Sequence, residues 1–356
     1  MNSSLGEHRL EFIDFMRGVA IVEMLVTHYS LYFSPTLGRI VGYGETAMPL
    51  FVLLAGFMVG WSYRRFAQAP MAQTFAMWTR AGRLLVIQYA MIVTISVPLH
   101  LLNVPGNGIN ESTGRFVTES ILFLNQIGLM HILPTFIPLF LVSPAILFLL
   151  SKGRDKLLLL ISAVLFCIGN YFPYLLDLGE PTIFPFLLIQ LYFVFGCLLG
   201  KRTVTVGSLP PRRSRGWLAL SSGLLGLCLL IVHGKVIPPG SVQTHPLNLF
   251  GLMYQVPIIA TLWLSALVFW SRLSARWVYP YLTRFGRHAL LAFVIHVYLA
   301  KALRTLDYFA SLPVVADYAL ILVSIILMNL ILLKYEMARK QRSPPLWARR
   351  AHALFK

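Results

Sequence analysis

RLEFIDFMRGVAIVEMLVTHYSLYF, residues 9–33, holds an apolar run, Phe12–Phe33, with Arg17 and His28 inside it. As an α-helix the run is long enough to cross a hydrocarbon core. Eleven residues separate Arg17 from His28, about 1100° of rotation or three turns. The two therefore share a face, roughly 16 Å apart along the axis. An arginine and a histidine are costly in lipid and should face a protein interior or a wet cavity. A cation near one membrane surface and an acid/base group near the middle suggest a reaction site inside the bilayer.

The rest of the chain repeats the apolar pattern. It is 57% hydrophobic and only 12% charged, about half the charge of a soluble domain. Runs of apolar residues broken by short polar loops predict an all-α, polytopic integral membrane protein. A β-barrel would show alternating segments of about ten residues instead. The pattern predicts about ten transmembrane helices, at 10–33, 47–64, 82–102, 132–151, 156–175, 183–200, 215–233, 249–270, 283–303 and 314–334. No small-residue cleavage site follows the first run, which is expected to remain as the first span.

Placing the N-terminus in the cytoplasm puts 24 lysines and arginines on that side and 5 on the other, with Arg17 in the membrane. So strong a bias sets the orientation, and both termini are expected to be cytoplasmic. It also accounts for the net charge of +17 without nucleic acid; the lipid bilayer is the expected partner. Cys167, Cys197 and Cys228 all lie in apolar runs and fit no disulfide, zinc or iron–sulfur spacing. No metal is expected. Residues 1–340 are read as one transmembrane domain and 341–356 as a basic cytoplasmic tail. The longest outer loop, 103–131, contains a stretch, Ser120–Gly128, apolar enough to lie on or re-enter the membrane.

Asp14, Arg17 and His28 form one stripe of the first helix. They suit either an interfacial ion pair with a packing histidine, or a site in which His28 takes a proton from a hydroxyl at neutral pH. Glu23 lies about 140° away on the helical wheel. It pairs with another helix or lines a second side of the cavity; it counts as a candidate catalytic residue with its role open. Arg64 and Arg65 end the second span, and Arg80 and Arg83 begin the third on the same side. Four guanidinium groups around one short loop can grip phosphates, although charge marking of the cytoplasmic side also places arginines there. His131, His288 and His296, each taken alone, read as packing or interfacial histidines.

Residues 9–20 followed by His28 resemble the opening of the membrane-bound acyltransferase 3 family, whose hallmark is an arginine, ten residues, then a histidine. Pro49-Leu50-Phe51-Val52-Leu53-Leu54-Ala55-Gly56-Phe57 is similar to that family's second-span motif. Arg80-Ala81-Gly82-Arg83 matches its Arg-x-x-Arg element, and Gly286-Arg287-His288-Ala289-Leu290 with His296 is similar to its late segment. Met130-His131-Ile132-Leu133-Pro134 and Phe184-Pro185-Phe186, with Gln190, Leu191 and Gly196, resemble the periplasmic-glucan succinyltransferase branch. The chain departs from these patterns at Pro49, Ala55, His131 and Ala289.

The resemblance implies a multi-pass enzyme of the bacterial inner membrane that takes acyl-CoA, acetyl-CoA or succinyl-CoA, from the cytoplasm. Arg80 and Arg83 would hold the donor's phosphates, Arg17 would orient the donor, and His28 would be general base. The acceptor would be a carbohydrate hydroxyl reaching in from the periplasmic side. Two other classes stay open: a transporter or flippase of a glycan or lipid-linked intermediate, and a structural partner in envelope glycan assembly. Transporters often show repeats with paired broken helices, and the sequence shows no repeat.

Overall fold

The computed structural model describes residues 2–33, 46–102, 112–121, 130, 132–172, 175, 185–206, 211–233, 248–310 and 314–342. Most of the 103–131 loop, including His131, and residues 343–356 of the tail lie outside them. The described residues are all-helical, with no strand among them. In order they form α1 (Asn2–Phe33), α2 (Ala47–Trp61), α3 (Tyr63–Gln68), α4 (Pro70–Met91), a π-helical turn (Ile92–Ser96) and α5 (Val97–Leu101). There follow α6 (Thr113–Ile121), α7 (Ile132–Ser151), α8 (Asp155–Tyr171), α9 (Phe186–Val206), α10 (Pro211–His233), α11 (Leu249–Val268) and α12 (Trp270–Leu273). The last three are α13 (Tyr279–Arg287), α14 (Ala289–Ala310) and α15 (Val314–Arg342).

A helix lies in each of the ten expected segments, but fewer have the length and composition of a span. Among the described residues six do: Ala47–Gln68, Pro70–Leu101, Ile132–Ser151, Phe186–Thr205, Leu249–Val268 and Tyr318–Arg339. A seventh is obtained if α13 and α14, bent by 96° to each other, count as one. Two others fall short for visible reasons: α1 carries Glu11, Asp14, Arg17 and Glu23, and α8 has 17 residues. The expected span 283–303 is the one most changed. Its first residues belong to α13, which turns away at His288, and the apolar helix starts at Ala289.

The outer surface identifies the surroundings. Leu160 and Val164 on α8, and Leu322, Val323 and Ile326 on α15, are exposed. So much outward apolar surface on separate helices matches hydrocarbon rather than water. This is a membrane protein.

Its interior is drawn together by small residues. Gly56 and Gly60 on α2 face Gly196 and Gly200 on α9, so each helix offers a glycine every fourth residue. A Cβ at Gly56 would overlap the carbonyl oxygen of Phe193, one at Gly60 that of Cys197, and one at Gly196 that of Leu53. Helices touch backbone to backbone in this way where lipid supplies no hydrophobic drive between them. Buried polar clasps fix the register around this pair. Ser162 Oγ donates to Gln190 Oε1 at 2.8 Å, Gln190 Nε2 donates to Ser162 O at 2.9 Å, and Tyr192 donates to Gln255 Oε1 at 2.8 Å. Lys201 Nζ donates to Leu150 O at 2.9 Å and Asp155 Oδ1 at 2.5 Å, locking α9 against the α7–α8 turn. Gly153 makes that turn with φ 69°, a conformation other residues adopt at a cost.

The glycine contacts give a direct test. Gly60→Leu forces a side chain into backbone that cannot rotate away and should cost about 3 kcal/mol or more. Gly226 on α10 faces open space, so Gly226→Ala should leave the thermal midpoint in detergent within a degree or two. Equal midpoints for the two variants would contradict the packing described.

Candidate active site

α1 crosses α13 as closely as two helices can. A Cβ at Gly18 would overlap the carbonyl oxygen of Leu282, and one at Gly286 that of Asp14. The crossing sets Asp14 and Arg17 of α1 against Gly286 and Arg287 of α13. Arg17 Nη1 lies 3.7 Å from Asp14 Oδ1, and both side chains are about one-fifth exposed. This is a loose ion pair, leaving the guanidinium with donors to spare.

Beside it opens a cavity of about 350 Å³, within the range of small-molecule sites. Arg17, Arg80, Arg83 and Arg287 line it together with an apolar wall that includes Phe51, Met58, Phe136 and Phe293. Arg80, Arg83 and Arg287 are exposed and Arg17 is mostly covered. No carboxylate among the described residues lies within ion-pairing distance of Arg80 or Arg83. Four guanidinium groups around one apolar-walled space suit a ligand with several anionic oxygens and an apolar arm.

The other half of the stripe ends at a second feature. His28 Nδ1 lies 2.9 Å from His296 Nε2 on α14. The rings are nearly parallel, at 18°, with centroids 5.1 Å apart. His296 Nδ1 in turn lies 2.6 Å from the carbonyl oxygen of Phe293. Phe293 thus belongs both to the cavity wall and to the support of the histidine pair. His28 itself is half-buried and does not line the cavity.

The remaining expected site residues go elsewhere. Arg64 and Arg65 are exposed on α3 and do not line the cavity that Arg80 and Arg83 share. Glu23 Oε1 accepts from Thr46 N and Thr46 Oγ1, both at 2.8 Å. It binds the residue that precedes α2, where a carboxylate suits the positive end of the helix dipole. This is the first of its two expected environments, pairing with another helix. His288 faces Glu336 at 3.0 Å, and that carboxylate also accepts from Arg284 Nε at 3.2 Å. Arg287 reaches the same carboxylate at 3.6 Å. Among the described residues no three histidines, cysteines or carboxylates gather as a metal-binding group.

Two residues not counted as site residues from the sequence join the site, although the resemblance to the late segment includes both. Arg287 looked like one more basic residue of a cytoplasmic loop, and His296 like a packing residue. The nine-residue spacing from Arg287 to His296 was legible, but not the break at His288 that turns Arg287 toward the cavity.

No curated protein and no solved structure matches the chain. A family model does, that of the OpgC protein, over residues 8–340. That match takes in both the arginine-lined cavity and the histidine pair, and with it the chain belongs to the OpgC protein family.

Proposed function

We propose that the protein is a membrane O-acyltransferase of the acyltransferase 3 type, moving an acetyl or succinyl group from cytoplasmic acyl-CoA to a hydroxyl of a periplasmic glycan. The observation that carries this reading is the division of one helix face between two chemistries. Arg17 shares a cavity with Arg80, Arg83 and Arg287, and His28, roughly 16 Å further along α1, pairs with His296. The family match and the resemblance to the periplasmic-glucan succinyltransferase branch support an acyl donor and a glucan-like acceptor.

In this reading the arginines grip the phosphates of the coenzyme while its apolar arm lies along Phe51, Phe136 and Phe293. The separation along α1 suits a donor whose charged end and thioester are far apart. His28 Nε2 takes the proton from the acceptor hydroxyl as its oxygen attacks the thioester carbonyl. The carbon–sulfur bond breaks, the coenzyme leaves as a thiolate, and His28 returns the proton to it. Asp14 holds Arg17 in place. Glu23 serves the site indirectly, by fixing the start of α2, whose Phe51, Ala55 and Met58 line the cavity. Arg64 and Arg65 act before binding, drawing the anionic donor to the basic, cytoplasmic face. The orientation follows the positive-inside bias, with both termini cytoplasmic, and the enzyme resides in the bacterial inner membrane. No metal takes part. A transporter is the weaker reading: one bent helix pair is present among the described residues, whereas transporter sites are built from two in matching repeats.

Mass spectrometry of envelope glycans tests the function. Deleting the gene should remove an acetyl or succinyl mass, wild-type rescue should restore it, and His28→Ala rescue, at normal membrane abundance, should not. Acylation that persists with His28→Ala would sink the assignment of the base. For the donor, Arg80→Ala with Arg83→Ala removes charge-assisted hydrogen bonds of about 1.5–3 kcal/mol each. The apparent KM for acyl-CoA should rise at least tenfold; an unchanged KM would refute the phosphate grip.

A further inference from the structure

His296 is fully buried, one turn beyond Phe293 on α14. Its Nδ1 contacts a carbonyl oxygen, which can only accept, so Nδ1 carries a proton. In a neutral imidazole the other nitrogen then holds a lone pair. That nitrogen, Nε2, faces His28 Nδ1 at 2.9 Å, so His28 Nδ1–H must donate to it. The lone pair of His28 is thereby left on Nε2, which no hydrogen bond among the described residues occupies. A neutral pair also fits the surroundings. No carboxylate among the described residues touches either ring, and His296 is fully buried. Burying charge without a counter-ion is costly.

We propose that His296 is a positioning residue: the chain from the Phe293 carbonyl through His296 to His28 fixes His28 in the tautomer whose free nitrogen, Nε2, is basic. This rests on His28 being the general base. The device does for His28 what an orienting carboxylate does in other sites, using a neutral ring anchored on the backbone. It serves both stages of the reaction. Before transfer it aims the Nε2 lone pair at the acceptor. Once Nε2 has taken the hydroxyl proton, the Nδ1–H bond to His296 becomes charge-assisted and shortens. The added proton then passes to the departing thiolate, and the pair returns to its starting state.

Two substitutions separate this role from packing. His296→Gln places an amide oxygen where Nε2 stood, an acceptor for His28 Nδ1–H. His296→Leu fills a similar volume without one. The assay is release of coenzyme thiol from acetyl-CoA or succinyl-CoA by the protein in lipid nanodiscs with the isolated envelope glycan fraction. His296→Leu should lower kcat at least a hundredfold, with KM for acyl-CoA within twofold. His296→Gln should recover kcat to within tenfold of wild type. A His296→Leu variant as active as wild type, or a His296→Gln variant as inactive as His296→Leu, would overturn the proposal. Nitrogen-15 NMR of the His28 ring is the independent readout. Nε2 should be unprotonated in wild type and His296→Gln, and the tautomers mixed in His296→Leu; a protonated Nε2 in wild type would also overturn it. Thiol release that survives His28→Ala, or is absent from wild type, would instead remove the parent reading, leaving the NMR result to decide the tautomer.

Discussion

The contact on which the site depends is backbone against backbone, where Gly18 meets the Leu282 carbonyl and Gly286 meets that of Asp14. Only glycine lets α1 and α13 approach so far. The approach carries Arg287 to the cavity that Arg17 lines, although 270 residues separate them in the chain. The same economy governs the α2–α9 pair, where Gly56, Gly60, Gly196 and Gly200 each press on a facing backbone. In lipid the gain comes from dense van der Waals contact, not from expelling water. The helices that frame the site are therefore held by shape, and a single added carbon is felt.

That framework also makes intramembrane charge tolerable. Arg17 is offset by Asp14. Glu23 is absorbed by Thr46 at the start of α2, and Glu336 by Arg284 and His288. The Glu23 and Glu336 pairings join α1 to the start of α2 and α15 to α13, so groups that would be costly in hydrocarbon also tie helices together. Arg80 and Arg83 are the contrast: exposed at the cavity and facing no carboxylate among the described residues, they are available to an anionic ligand. The His28–His296 pair is a second contrast, a part-buried polar contact in which no hydrogen bond among the described residues occupies His28 Nε2.

Much of this was legible from residue order. Periodic apolar runs gave the all-helical class, and the eleven-residue interval from Arg17 to His28 gave the face they share. Arg-x-x-Arg at 80–83 pointed to the cavity. What could not be read depends on tertiary contact. Glu23 on the wheel shows only that it faces away from His28, not that Thr46 awaits it. The bend at His288 has no proline to announce it, and Gly286 signals close approach without saying to what. Counting apolar runs gives ten spans, of which six or seven have full length and composition among the described residues; α1 is charged and α8 is short. The partnership of His28 with His296 joins residues 268 apart, beyond the reach of any local pattern.

The measurement that bears most directly on the central claim is a cryo-electron microscopy map of the protein in nanodiscs with a non-hydrolysable acyl-CoA analogue. The account predicts the diphosphate among Arg80, Arg83 and Arg287, the acyl carbonyl directed past Arg17, and the thioester end within reach of His28 Nε2. An analogue bound away from the arginine-lined cavity, or with its acyl end pointing from His28 toward the cytoplasm, would contradict it.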